Sequence, residues 1–160
     1  MTVTINGTTG ITTPALDNQG NLTVDGGTIK LDGNYPVGTG NLALGNNALS
    51  SGSLSGGYNV AMGADALLSN TTGSVNAAYG GSALYANVSG QENTALGVNA
   101  MTYNQSGSYN VAVGRSALST NTTADNNTAV GFGAGYNNTT GANNTALGRL
   151  AMEANTTGSL

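Results

Sequence analysis

The sequence predicts an all-β chain, a parallel β-solenoid of about seven 17-residue coils behind a short N-terminal β segment. Three observations predict it. One phrase, Asn-x-Ala-apolar-Gly-x-x-Ala-Leu-x-x-Asn-Thr-Thr-Gly-x-x, recurs with drift from Asn41 to the last residue. It starts at Asn41, Asn59, Asn76, Asn93, Asn110, Asn127 and Asn144, with a first interval of eighteen residues and then seventeen. A fixed period of this kind marks stacked, equivalent units. The unit is too short for a pair of helices, and its glycines and paired threonines disfavour helix. The composition agrees: 26 glycines among 160 residues and only 6% charged residues suit tight turns better than long helices.

Residues 1–40 precede the array and lack the phrase. They hold short β-branched runs, Val3–Ile5, Ile11–Thr13, Leu22–Val24 and Thr28–Leu31, separated by Asn6-Gly7, Asn18–Gly20, Asp25–Gly27 and Asp32-Gly33. Runs bounded this way read as strands and hairpins. Val24-Asp-Gly-Gly-Thr28 is the best hairpin candidate, because Asp-Gly and Gly-Gly tolerate positive φ. Forty residues with few large side chains cannot form a stable core alone. The segment is expected to cap the array or to attach it to a partner.

Within residues 41–160 each coil is expected to carry two short strands and two tight corners. The fifth position, Gly45, Gly63, Gly80, Gly97, Gly114, Gly131 and Gly148, never varies, as a corner of positive φ or close backbone approach requires. The second corner is Asn-Thr-Thr-Gly at Asn70–Gly73, Asn138–Gly141 and Asn155–Gly158, and it carries Ala124 at the Gly place of the fifth unit. On the first strand, alternation sends the third and fourth positions to opposite faces. The fourth position is always apolar (Leu44, Met62, Tyr79, Leu96, Val113, Val130, Leu147) and is expected to fill the coil. The third is always Ala (Ala43, Ala61, Ala78, Ala95, Ala112, Ala129, Ala146), which suggests an outer face packed tightly against identical copies. The second pair, Ala48-Leu49, Ala66-Leu67, Ala83-Leu84, Ala100-Met101, Ala117-Leu118 and Ala151-Met152, adds interior side chains. Gly135 interrupts it and predicts a small cavity or a compensating Tyr136. Seven coils at the parallel-strand spacing make an array roughly 34 Å long, and the columns of Asn are expected to form ladders along it.

Catalytic and cofactor chemistry finds little to work with. The chain has no cysteine and no histidine, so thiol chemistry and the commonest general base are absent. Asp17, Asp25, Asp32, Asp65, Glu92, Asp125 and Glu153 never recur at one place in neighbouring units, so no paired acid and base is evident. Asp25 and Asp32 sit in Asp-Gly turns that match no calcium loop. Three cations, Lys30, Arg115 and Arg149, are too few to track a phosphate backbone, so no nucleic-acid partner is expected. No apolar run approaches spanning length, and Met1–Asn6 has neither the basic nor the apolar region of a secretory signal. The expectation is a non-enzyme without cofactor or metal, not inserted in a membrane. Tyr79 is expected inside the coil, and Tyr58 and Tyr109 outside it. Columns Thr71, Thr122, Thr139, Thr156 and Thr72, Thr123, Thr140, Thr157 raise the idea of ice binding. Adjacent strand residues face opposite ways, which argues against a flat array.

The phrases Asn59-Val-Ala-Met-Gly63 and Asn110-Val-Ala-Val-Gly114 resemble the YadA-like head repeat of trimeric autotransporter adhesins. Asn127-Thr-Ala-Val-Gly131 and Asn144-Thr-Ala-Leu-Gly148 are more similar to arrays in bacteriophage tail-fibre and related virion proteins, and Met1–Gly7 looks like the opening of such fibres. The likeness covers residues 41–160. It implies a homotrimeric β-roll without catalytic activity. The absence of a signal, a coiled-coil stalk and an anchor favours a virion fibre contributing to host attachment, joined to other virion proteins through residues 1–40. A bacterial adhesin head and a subunit of an extracellular filament, assembling end to end, are the alternatives.

Overall fold

The structure, a computed structural model, describes residues 39–51 and 53–159. The expected cap or attachment segment, residues 1–40, lies outside the described residues up to residue 38. Seven three-residue strands follow: β1 (Leu42–Leu44), β2 (Val60–Met62), β3 (Ala77–Tyr79), β4 (Thr94–Leu96), β5 (Val111–Val113), β6 (Thr128–Val130) and β7 (Thr145–Leu147). They form one parallel sheet in chain order. Each strand pairs with the next at the same place in the phrase, so Ala43, Ala61 and Ala78 share one line and Leu44, Met62 and Tyr79 the next. Each connection is therefore one lap of a coil, and the chain is a β-solenoid.

Each strand stops at its glycine. These glycines take φ between 115° and 143°. At Gly63 an added Cβ would lie 2.6 Å from the backbone carbonyl of Gly80, one coil on. No side chain fits such a stacked corner, which accounts for the unbroken column.

The coil has one strand, not two. The second apolar pair lies in a turn, because Leu49, Leu67, Leu84, Met101, Leu118 and Met152 adopt left-handed φ of 48° to 56°. Such a residue bends the chain and frees it from alternation. Ala66 and Leu67 are neighbours and both are fully buried, which a strand would not allow. The left-handed conformation costs a non-glycine residue roughly 1–2 kcal/mol. Burying a leucine returns about 1.5–3 kcal/mol, so burial offsets the strain.

The strand faces are inverted relative to expectation. Ala61, Ala78, Ala95, Ala112, Ala129 and Ala146 are buried inside the coil, and Ala43 packs partly buried against the same core. They are not an outer interface. Leu44, Tyr79, Leu96, Val130 and Leu147 are exposed, and Met62 and Val113 are half-buried. They do not fill the coil. The reason is volume: the left-handed leucine column occupies the interior, and opposite it a close-packed coil admits only a methyl group.

Two asparagine ladders close the coil. In the first, Asn76 donates its backbone N–H and its Nδ2 to Asn59 Oδ1, at 3.0 and 3.1 Å, and Nδ2 also reaches the Gly90 carbonyl at 2.8 Å. In the second, Asn87 Nδ2 donates to Asn70 Oδ1 at 2.8 Å and to the same Gly90 carbonyl at 3.1 Å. The two columns thus meet on one carbonyl. Among the described residues no buried side-chain polar atom lacks a partner. The ladders loosen in the last two coils. Asn127 and Asn144 keep their backbone bonds to Asn110 Oδ1 and Asn127 Oδ1, but their Nδ2 groups reach only the Gly141 and Gly158 carbonyls. Asn138 Nδ2 to Asn121 Oδ1 lengthens to 3.3 Å, against 2.8 Å from Asn121 to Asn104. In the sixth coil, Gly135 leaves a cavity of about 10 Å³ beside Leu118, Ala129, Ala146 and Met152. Tyr136 stays exposed and does not fill it.

Candidate functional site

The outward face of the sheet is the most distinctive surface. Alternation turns the second and fourth positions outward once the Ala column is inside. The fourth position is apolar in all seven coils although solvent reaches it, with Leu96 49% and Leu147 67% exposed. Flanking residues widen the band. Tyr58, Val75 and Tyr109, each just before a repeat Asn, sit at φ of 59° to 60° and are exposed. Val98 and Phe132, two residues past their strands, are exposed on the other side. Among the described residues, ten of the fourteen exposed large hydrophobic side chains fall in this band, which separates it from scattered surface apolars. Tyr85, Val88, Tyr103 and Tyr136 lie elsewhere around the coil.

One column within the band carries charge. Arg115, Phe132 and Arg149 hold the same place in three successive coils. The Arg115 guanidinium lies 6.0 Å from the Phe132 ring centre and that of Arg149 lies 5.6 Å from it, within cation–π range. The described acids, Asp65, Glu92, Asp125 and Glu153, occupy four other columns. Asp65 accepts from Asn47 Nδ2 at 3.0 Å and Asp125 from the Ser108 N–H at 2.7 Å, so both serve the turns. Among the described residues no group of three metal-ligating side chains occurs.

The threonine corner is built for stacking. Thr71, Thr122 and Thr139 donate their hydroxyls to the carbonyls of Val88, Thr139 and Thr156 in the next coil, at 3.1, 3.0 and 2.9 Å. The hydroxyls of these three threonines are thus committed to the coil. Tyr58 and Tyr109 are exposed as expected, whereas Tyr79, expected inside, stands on the outward band.

The band was missed in the sequence because apolar character alone placed the fourth position inside. A usable signal was present. The third position never changes volume, while the fourth ranges from Val to Tyr. A close-packed interior tolerates one volume; an outer face tolerates many. Comparisons with protein-family models, with curated proteins and with solved structures find no match.

Proposed function

We propose that this chain is a non-catalytic fibre protein of a virion, a tail fibre or its shaft, that projects from the particle and contributes to host attachment. It assembles as a homotrimer through the fourth-position column and the Tyr58, Val75 and Tyr109 side of the outward band, leaving the Phe132 side open, and residues 1–40 join it to other virion proteins. The observation that carries the reading is the fourth-position column, apolar in all seven coils and open to solvent in a single chain. Its exposed area is on the order of 500 Å², the size at which an apolar patch on one chain marks an interaction site. With Tyr58, Val75 and Tyr109 it approaches the roughly 800 Å² per partner of a standard interface. Three chains around an axis parallel to the array would each turn this face inward, and every coil would meet its equivalent.

A second reading, an adhesin head that holds a surface ligand directly, draws on Tyr85, Tyr103 and Tyr136, which are exposed outside the band. Both readings are tested by the native mass of the purified protein from light scattering, with particle length from electron microscopy. The fibre reading expects a discrete trimer carrying a short rod. Filaments of varying length would support end-to-end assembly instead, and a stable monomer would sink the trimer.

A further inference from the structure

We propose that Arg115, Phe132 and Arg149 form a docking ladder for an acidic polysaccharide, with carboxylates of a uronic-acid chain as the groups bound. The two arginines hold the same column in the fifth and seventh coils, with the phenylalanine between them. Each guanidinium stacks toward the same ring, at 6.0 and 5.6 Å. The stack restricts two side chains that would otherwise be mobile, so less rotamer freedom remains to be lost on binding. Both arginines are exposed. A stacked guanidinium still presents N–H groups at its edge, and that fork matches a carboxylate.

The coil sets the spacing. Two coils separate the arginines, about 10 Å at the parallel-strand repeat. A stiff polymer with one carboxylate per sugar can address both guanidiniums at once, and the second contact is then intramolecular. A single carboxylate lacks that advantage. A nucleic acid fits worse. Its charge recurs about every 1.7 Å of duplex, and binding it takes many cations. Here the whole chain has three cations and a net charge of −4, so the long-range field opposes a dense polyanion and tolerates a sparse one. The exposed part of Phe132 adds an apolar edge against which a sugar ring can lie. The ladder lies on the Phe132 side of the band, outside the face that the trimer proposal buries, so loss of binding and loss of assembly are separate outcomes.

The test uses the full chain, a size-defined oligogalacturonate and a neutral maltooligosaccharide of equal length, titrated by calorimetry at low salt. The oligogalacturonate is expected to bind and the neutral sugar not to. A fourfold rise in salt should weaken binding by up to about sevenfold, the limit for two contacts at a slope of about 0.7 each. The R115Q/R149Q double variant should bind at least about tenfold more weakly, a difference of about 1.4 kcal/mol. Its circular dichroism and native mass should match the wild type, which separates this result from any failure of assembly. Phe132→Leu should weaken binding while leaving both charges in place. No binding by the wild type, equal binding by the double variant, equal binding of the neutral sugar, or tighter binding of DNA would each overturn the proposal.

Discussion

Asn93→Ala probes the feature that joins the coils. Asn93 is buried, and its side chain takes part in four hydrogen bonds. Its Nδ2 donates to Asn76 Oδ1 at 3.1 Å and to the Gly107 carbonyl at 2.8 Å. Its Oδ1 accepts the Asn110 N–H at 3.0 Å and Asn110 Nδ2 at 3.1 Å. Truncation does not orphan every partner. Asn76 Oδ1 keeps the Asn93 N–H, the Gly107 carbonyl keeps Asn104 Nδ2, and Asn110 Nδ2 keeps the Ala124 carbonyl. The buried Asn110 N–H alone loses its partner outright, at about 1–3 kcal/mol, and the three shared bonds cost about 0.5–1 kcal/mol each. The expected loss is about 4 kcal/mol, a large share of the 5–15 kcal/mol typical of a domain. The assay is urea unfolding followed by circular dichroism at one fixed protein concentration, because assembly adds to apparent stability. Gln91→Ala, at an exposed place outside both ladders and off the left-handed positions, is the control and should stay within about 0.5 kcal/mol. A loss below about 1 kcal/mol for Asn93→Ala would refute the claim that the ladder holds the coils together.

Three further substitutions test the packing. Gly97→Ala places a Cβ 2.6 Å from the Gly114 carbonyl at φ 143°, so it should cost more than about 2 kcal/mol or abolish folding, read from the same unfolding curve. Leu67→Ala empties a fully buried left-handed site and should cost about 2–5 kcal/mol in the urea midpoint. Ala124→Gly should change stability by less than about 1 kcal/mol, because the Ala124 carbonyl already accepts from Asn110 and Asn121 at 2.8 and 3.1 Å as the glycine carbonyls do; a larger change in the same curve would mean that the alanine strains the corner.

The period, the parallel stacking and the in-register strands were legible because backbone constraints repeat visibly. A glycine corner with no room for Cβ and an asparagine that must bond the next coil leave the same letter at the same place in every unit. Gly135 was legible for the same reason: one missing leucine in an otherwise regular column foretold the cavity beside Leu118. Two things were not legible. The turn around Leu67 depends on a left-handed leucine, and propensity argues against that conformation, so the Ala-Leu pair read as a second strand. The strand faces depend on which column the interior can hold. Alternation separates Ala95 from Leu96 but does not say which is inside, and the larger residue was assigned there by hydrophobicity alone. A column of fixed small volume beside one of variable volume is the pattern that distinguishes them.

If the outward band, and not the alanine column, carries self-association as proposed, the native masses of the wild type and of the L96E/V130E variant should differ at equal concentration. Both positions are exposed in the single chain, so the coil itself should survive and the strand signal in circular dichroism should persist. Glutamates repeated in every copy would place like charges together at the assembled face. The expected result is a trimeric wild type and a folded monomeric variant. Equal masses for the two proteins, whether both trimeric or both monomeric, would contradict it.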